Sequence, residues 1–217
     1  MAEWQLVRRR VTRTRLGLWL VCVVAGAVAL HSRGGAAVLP RLAVCGGMLG
    51  AVLGVAFGAG GEVDRAALAL TLTHPTTPAA VALGRWLAAV TVGVAAAIAA
   101  VVIGAPLVAG VTPASALALL RAILGGGAAG GAAAGLALPG VWLGGNAVAG
   151  VLFIYIGLTS VLSPGELAAL RAGLGWLPSV STYAALESAG LVPWLHVTAW
   201  SLGGIVMAAL TLRRVHR

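Results

Sequence analysis

The stretch from Ala122 to Ser163, AILGGGAAGGAAAGLALPGVWLGGNAVAGVLFIYIGLTSVLS, contains no charged residue. A helix needs about 20 apolar residues to cross the hydrocarbon core of a bilayer. Because the stretch is roughly twice that length, it predicts two membrane-spanning helices and not one. Pro139-Gly140 and Gly144-Gly145-Asn146 are its turn-forming residues, so they predict the position of the turn between the two helices.

The composition of the whole chain agrees with this interpretation. Of its 217 residues, 60% are hydrophobic and 9% are charged, and the mean hydropathy is +1.04. A soluble domain has about 25% charged residues, because water must solvate its surface. The chain is therefore predicted to be an all-α polytopic membrane protein. Its two cysteines, Cys22 and Cys45, lie in apolar runs without metal-binding spacing, which is typical of buried packing residues.

Six apolar runs, separated by charged or turn-forming residues, predict six transmembrane helices. The predicted spans cover about 16–30, 42–60, 86–108 and 116–138, then the part of the uncharged stretch that ends at Ser163, and finally about 194–212. The segment 163–193 contains Glu166, Arg171 and Glu187 and is too polar to cross. It predicts short helices that lie at, or dip into, the outer interface.

The first 15 residues predict an interfacial amphipathic helix that precedes a single transmembrane domain, residues 16–217. Apolar side chains recur there at helical spacing, beginning with Trp4, and arginines supply charge for lipid headgroups. The residues predicted to lie at the membrane interface are Trp4, Arg8, Arg9, Arg10, Arg13 and Arg15.

The arginines predict the orientation of the chain. All 14 basic residues are arginine, and they give a net charge of +9. They gather at the two chain ends and at loop edges, not in a stripe with aromatic residues, so nucleic-acid binding is not favoured. One side holds Arg8, Arg9, Arg10, Arg13, Arg15, Arg65, Arg85, Arg213, Arg214 and Arg217, and the other holds Arg33, Arg41, Arg121 and Arg171. This asymmetry predicts that both termini lie in the cytoplasm.

Glycines recur every four residues in two of the predicted spans. Since four residues are about one helical turn, such glycines line one strip of a helix and let another backbone approach closely. The set is Gly46, Gly50, Gly54 and Gly58 in the second span, and Gly127, Gly131 and Gly135, beside Gly126 and Gly130, in the fourth. Packing within the chain is the simpler interpretation; a subunit interface or a substrate path is the alternative.

The polar region 61–85 separates the second and third spans. Acidic Glu62 and Asp64 precede an Ala/Leu-rich run that predicts a short helix, and His74-Pro75 ends that run. Thr77 then has the side chain of a helix N-cap, and Pro78 suits the first helical position. A second helix is therefore expected to begin at Pro78 and to carry Gly84-Arg85 into the third span.

The sequence Glu62 to Pro75, EVDRAALALTLTHP, followed by Gly84-Arg85, resembles the permeases of ABC-2 type ABC transporters. That family has an acidic cluster, Gly-Thr-Leu, a leucine run, a Thr-Pro corner and Gly-Lys before the third span. This chain departs from the pattern, with Ala66-Ala67 for Gly-Thr, His74 for a small residue, and Arg85 for Lys. The amphipathic N-terminal segment, six spans and the broken segment before the sixth span extend the resemblance over the whole chain.

The resemblance implies that residues 66–75 form a cytoplasmic coupling helix that docks on a separate ABC ATPase subunit. The residues implied in that contact are Glu62, Asp64, Arg65, Leu68, Leu70, Leu72, His74 and Pro75. It further implies a second permease copy, as a homodimer or heterodimer, in the cytoplasmic (inner) membrane of a prokaryote. The ATP and Mg²⁺ would bind the partner subunit, since this chain has no Lys and so no G-x-x-x-x-G-K-[ST] loop.

The predicted function is the permease subunit of an ATP-driven exporter of an apolar or amphipathic substrate, without a cofactor or catalytic residues of its own. Two alternatives remain open at this point: a permease similar to the haem exporter B subunit, and a non-transporting membrane scaffold or assembly subunit. An intramembrane enzyme is less favoured, because no G-x-S-x-G or H-E-x-x-H motif occurs and the histidines have no metal-ligand spacing.

Overall fold

The computed structural model describes residues 38–58, 77–104, 116–161, 174–184, 186 and 190–215, and these residues are helical with short connections and no strand. The predicted interfacial helix 1–15, the predicted first span and the residues of the polar region before Thr77 lie outside the described residues. The helices are α1 (Val38–Gly58), α2 (Pro78–Gly104), α3 (Ala116–Gly144), α4 (Asn146–Val161), α5 (Val180–Tyr183) and α6 (Leu191–Val215).

Four of these helices are long and apolar enough to cross a membrane, which agrees with a membrane protein, and the described residues are all-α as predicted. They cover Val38–Gly58, Pro78–Ile103, Leu117–Gly144 and Leu191–Arg214. The shortest, with 21 residues, is about 32 Å long at 1.5 Å per residue, close to the thickness of the hydrocarbon core. Helix α4 is apolar but has only 16 residues. The total of six spans therefore stays a prediction.

The start of α2 follows from two neighbouring residues. The backbone N–H of Ala80 donates to the Thr77 side-chain oxygen at 3.2 Å, and Pro78 takes the first helical position, where a missing N–H has no cost. This cap was predicted, and it is confirmed. The helix then continues without a break past Arg85, so the predicted boundary of the third span at Trp86 is eight residues inside a longer helix.

Of the two groups of residues predicted to form the turn between the helices, Gly144-Gly145-Asn146 is confirmed and Pro139-Gly140 is wrong. Helix α3 continues through Pro139 to Gly144, and the chain reverses at Gly145, whose φ of 67° is a conformation open to glycine. A proline inside a helix removes one backbone hydrogen bond, whereas a helix end leaves four carbonyls without intrahelical partners. In an apolar setting the continued helix is therefore the less costly solution.

Contacts between small residues show that α1 and α2 are antiparallel. A Cβ atom built on Gly46 would lie 2.7 Å from the Cβ of Ala100, near the end of α2, whereas one on Gly54 would lie 3.0 Å from the Cα of Ala89. Helix α1 is the central element. In its most apolar 18-residue stretch 78% of the residues are buried, against 33% in the corresponding stretches of α2 and α6.

The remaining long helices continue the alternation. Helix α3 is parallel to α1, since Gly126 lies against the Ala43 carbonyl and Gly130 against the Gly47 carbonyl. Helix α6 is in turn parallel to α3. Helix α4 returns from the Gly145 turn. Spans that alternate in direction are what successive membrane crossings require.

Three helices meet at Gly47 of α1. Its carbonyl oxygen lies 2.7 Å from the position of a Cβ on Gly93 of α2, and 2.8 Å from that on Gly130 of α3. A Cβ on Gly47 itself would collide with the Gly126 carbonyl of α3. Since all these contacts involve backbone atoms, which cannot rotate away, the three helices approach this closely only with glycine at the crossing.

We expect Gly47→Ala to lower the stability of the protein by about 1–3 kcal/mol, because its methyl group must push α3 away from α1. The measurement is the thermal unfolding midpoint of the purified chain in detergent. Gly58→Ala is the matched control on the same helix, because no described atom lies within 4 Å of a Cβ there. An unchanged midpoint for Gly47→Ala would contradict the three-helix contact.

The antiparallel arrangement also predicts the accessibility of the helix ends. Ala80, near the start of α2, and Val192, near the start of α6, are both exposed and lie at opposite ends of the bundle. In a chain without its native cysteines, Ala80→Cys and Val192→Cys should react with a membrane-impermeant maleimide from opposite sides. Labelling of both from the same side of sealed vesicles would contradict the arrangement of the helices.

Candidate functional site

The predicted site residues fall into two groups. The residues implied in ATPase coupling, Glu62, Asp64, Arg65, Leu68, Leu70, Leu72, His74 and Pro75, lie outside the described residues, as do the predicted membrane-interface residues Trp4, Arg8, Arg9, Arg10, Arg13 and Arg15. The structure describes the glycines of both predicted strips. It places Gly46, Gly50 and Gly54 against α2 of the same chain, whereas Gly58 has no described neighbour.

Two glycines of the fourth predicted span, Gly127 and Gly131, border a groove between α2, α3 and α6, whereas Gly126 and Gly130 face α1. A Cβ on Gly127 would lie 2.9 Å from Val94, and one on Gly131 would lie 3.1 Å from the ring of Trp86 and 3.3 Å from the Ser201 hydroxyl. The groove has a volume of about 440 Å³, and none of the described residues that line it is charged. Cavities of this size, mostly apolar with a few polar groups, are typical of small-molecule sites.

A hydrogen bond fixes one wall of the groove. The indole N–H of Trp86 donates to the Gly131 carbonyl at 2.9 Å, so α2 and α3 are tied together across the groove. A buried indole requires such a partner, and the bond holds the ring in one orientation. The flat face of the ring is thereby part of a preformed surface. The sequence singled out Gly131 but not Trp86, which was only the first residue of the third predicted span.

A second apolar cavity, of about 300 Å³, lies between α3 and α6. It is bordered by Gly135, Pro139, Trp200 and Gly204. A Cβ on Gly204 would collide with the Gly135 backbone, so the two helices touch directly at this point. Pro139 has no N–H for the Gly135 carbonyl, which leaves that carbonyl available to the Cα hydrogens of the facing helix.

The described part of the segment before α6, residues 174–184 and 186, packs into the bundle. Pro178 shares an apolar contact region with Met48 and Val52, in the middle of α1, and Val180 and Tyr183 are 1% exposed. Within the described residues this inward segment includes the single helical turn α5, which Ser179 caps. The predicted short helices at the outer interface stay a prediction.

The inward segment is joined to α6 by a polar network around His196. The Tyr183 hydroxyl lies 2.8 Å from His196 Nδ1, and His196 Nε2 lies 2.9 Å from the Trp176 carbonyl oxygen. The Trp200 indole N–H donates to the same carbonyl at 3.1 Å, and its ring stacks on that of Trp176 at 5.4 Å. Every donor has an acceptor when Tyr183 donates to Nδ1 and the ring proton is on Nε2.

Burial keeps the tyrosine in its donor form. It raises the pKa of Tyr183, and the nearby Tyr155 acts in the same direction. The hydroxyl therefore stays protonated, and it donates to His196 Nδ1 when the ring proton is on Nε2. From the sequence, His196 was expected only at a span end, and nothing in its spacing indicated Tyr183 as a partner. Within the described residues, no group of His, Cys, Asp or Glu side chains is placed to hold a metal ion.

The sequence comparisons identify no relative of this chain. No protein-family model matches the chain, and no curated protein matches it either.

We expect Tyr183→Phe to lower stability by about 1–3 kcal/mol, because it leaves His196 Nδ1 without its partner in a buried position. Thr91→Val is the control, since it removes an exposed hydroxyl that bonds only to its own helix. In a His196→Leu background, the same tyrosine substitution should cost much less, as for any coupled pair. Equal costs in both backgrounds, measured by thermal unfolding, would show that the two side chains do not interact.

Proposed function

We propose that the chain is the permease subunit of an ABC-2 type transporter, that it exports an apolar or amphipathic substrate, and that a separate ATPase subunit drives it. The observation that carries this proposal is the sequence from Glu62 to Pro75 followed by the cap at Thr77 and the unbroken helix α2. A cytoplasmic coupling helix such as the one predicted at residues 66–75, followed by a long helix, would be suited to transmit a force into the membrane.

The geometry of α2 supports such a transmission. The helix extends over 27 residues from Pro78, and its residues Trp86 and Val94 form one wall of the apolar groove. A displacement of the segment before Thr77 would therefore move that wall. The surface that α2 presents to α1 consists of small residues such as Ala89 and Gly93, and small, smooth surfaces favour sliding of packed helices by shear.

The charges of the described helices support the proposed orientation in a prokaryotic cytoplasmic membrane. Arg213 and Arg214 lie in the last turn of α6, and Arg85 lies toward the same end of the bundle, in the first part of α2. Arg41 and Arg121 lie toward the opposite end, where α1 and α3 begin. With the predicted arginines of the N-terminal segment, the first end becomes the cytoplasmic one. A second permease copy completes the proposed transporter.

The test is complex formation with a Walker-A ATPase encoded beside this chain. Substituting Glu62→Lys together with Asp64→Lys should weaken co-purification by about tenfold or more, because reversed charges at an interface are repelled. Stimulation of ATP hydrolysis should be lost in parallel. Glu187→Lys is the matched control: it makes the same charge change in the segment predicted to lie on the other side of the membrane.

Unchanged binding and unchanged ATPase stimulation in the double variant would refute the coupling assignment. Binding of the unaltered chain to the ATPase without any stimulation would instead favour the scaffold function.

A further inference from the structure

Outside the one-turn helix α5, the Ser and Thr hydroxyl groups of the described helices show one exception to a common pattern. In a membrane protein, Ser and Thr side chains usually bond to a carbonyl one turn earlier in their own helix. Hydroxyls that do so here are those of Thr91, Thr159, Ser160, Thr198 and Thr211, at 2.6–3.0 Å. Ser201 of α6 forms no hydrogen bond with any residue that the structure describes, although it is only 8% exposed.

The Ser201 hydroxyl is turned toward the apolar groove. Ser201 lines that groove, and its oxygen lies 3.3 Å from the position of a Cβ on Gly131, at the floor between α3 and α6. The neighbouring Thr198 also lines the groove, but its hydroxyl donates to the Trp194 carbonyl at 2.9 Å. A buried hydroxyl without a partner costs free energy unless a bound molecule supplies the missing hydrogen bond.

The walls limit what that molecule can be. They are apolar side chains of α2, α3 and α6 and the face of Trp86, without a charged group, so a buried ionic headgroup would be strongly disfavoured. A volume of about 440 Å³ holds roughly 15 non-hydrogen atoms at about 30 Å³ each. One hydroxyl that can both donate and accept matches one hydroxyl or carbonyl group on the ligand.

We propose that the groove between α2, α3 and α6 binds a neutral amphipathic molecule with a long apolar chain, and that Ser201 forms a hydrogen bond with its single hydroxyl or carbonyl group. The description of that molecule as the transported substrate rests on the proposed function. The binding itself does not, because the groove is built from this chain alone. Its α2 wall is the element that the proposed coupling would move.

The experiment uses the purified full chain in lipid nanodiscs, without an ATPase, and hexadecanol that carries a diazirine on its chain. Photolabelling followed by peptide mapping should place the label on groove residues of α2, α3 and α6. Competition with unlabelled hexadecanol gives the affinity, and the corresponding alkane and hexadecanoate are measured in the same way. The alcohol should bind best, the alkane more weakly, and the carboxylate weakest.

Three variants separate the hydrogen bond from the shape of the groove. Ser201→Ala should weaken binding of the alcohol by about fivefold, the effect of one hydrogen bond, and leave the alkane unchanged. Thr211→Val is the matched control on the same helix and should change neither, since Thr211 does not line the groove and its hydroxyl is bonded to the Met207 carbonyl. Ala128→Leu, which fills the groove from α3, should reduce labelling by both molecules.

The proposal is overturned if the label falls outside the groove, if Ser201→Ala and Thr211→Val have equal effects, or if the carboxylate binds as well as the alcohol. Absence of label from the groove would show that another part of this chain or a second copy covers it. Since no ATPase is present, these outcomes are independent of the coupling test: binding without ATPase stimulation would refute the proposed function alone.

Discussion

The bundle depends on the close approach of three backbones at Gly47. The carbonyl of this residue faces Gly93 on one neighbouring helix and Gly130 on another, so α1, α2 and α3 share a single crossing point. In a bilayer the hydrophobic effect does not drive helices together, because lipid tails are as apolar as the side chains. The association therefore relies on dispersion and on Cα–H···O contacts, which require this short separation.

The groove is a consequence of the same choice of residues. Where glycines of α3 meet backbone, as at Gly126, the helices close on each other, and where they meet only side-chain tips, as at Gly127, space is left. Trp86 then spans that space and bonds to the Gly131 carbonyl. One wall of the groove is the continuous helix α2, and its floor is formed by glycines of α3, which have no side chains. The site is therefore apolar and ordered.

Much of the helical framework could be predicted from the sequence, because charge and capping act locally. Thr77 and Pro78 begin α2 as expected, and the uncharged stretch after Arg121 contains two helices. Of the two places predicted for the turn between them, Pro139-Gly140 stays helical, because a proline in an apolar environment interrupts a helix less than an unsatisfied helix end would. The turn lies in the other place, at Gly145, where φ is positive.

The site itself was less predictable, because it depends on which faces meet. A four-residue repeat identified Gly46 and Gly131. Gly47 and Gly204 do not belong to that repeat, although each contacts a neighbouring helix. The only sign of them in the sequence is that each follows another glycine, which indicates that two faces of the helix are used. The contact of Tyr183 with His196, and the position of Ser201 at the groove, depend on packing between distant segments. No spacing along the chain encodes them.

The short turn at Gly145 bears on how the chain is assembled during synthesis. One residue separates α3 from α4, and the only polar side chain beside it is that of Asn146. No charge at this tip has to be carried across the bilayer or held back, so the translocation machinery meets the two helices as one apolar hairpin. The tip of the hairpin carries no orienting signal, so Arg121 at the start of α3 and the segments made before it must determine the side from which it enters.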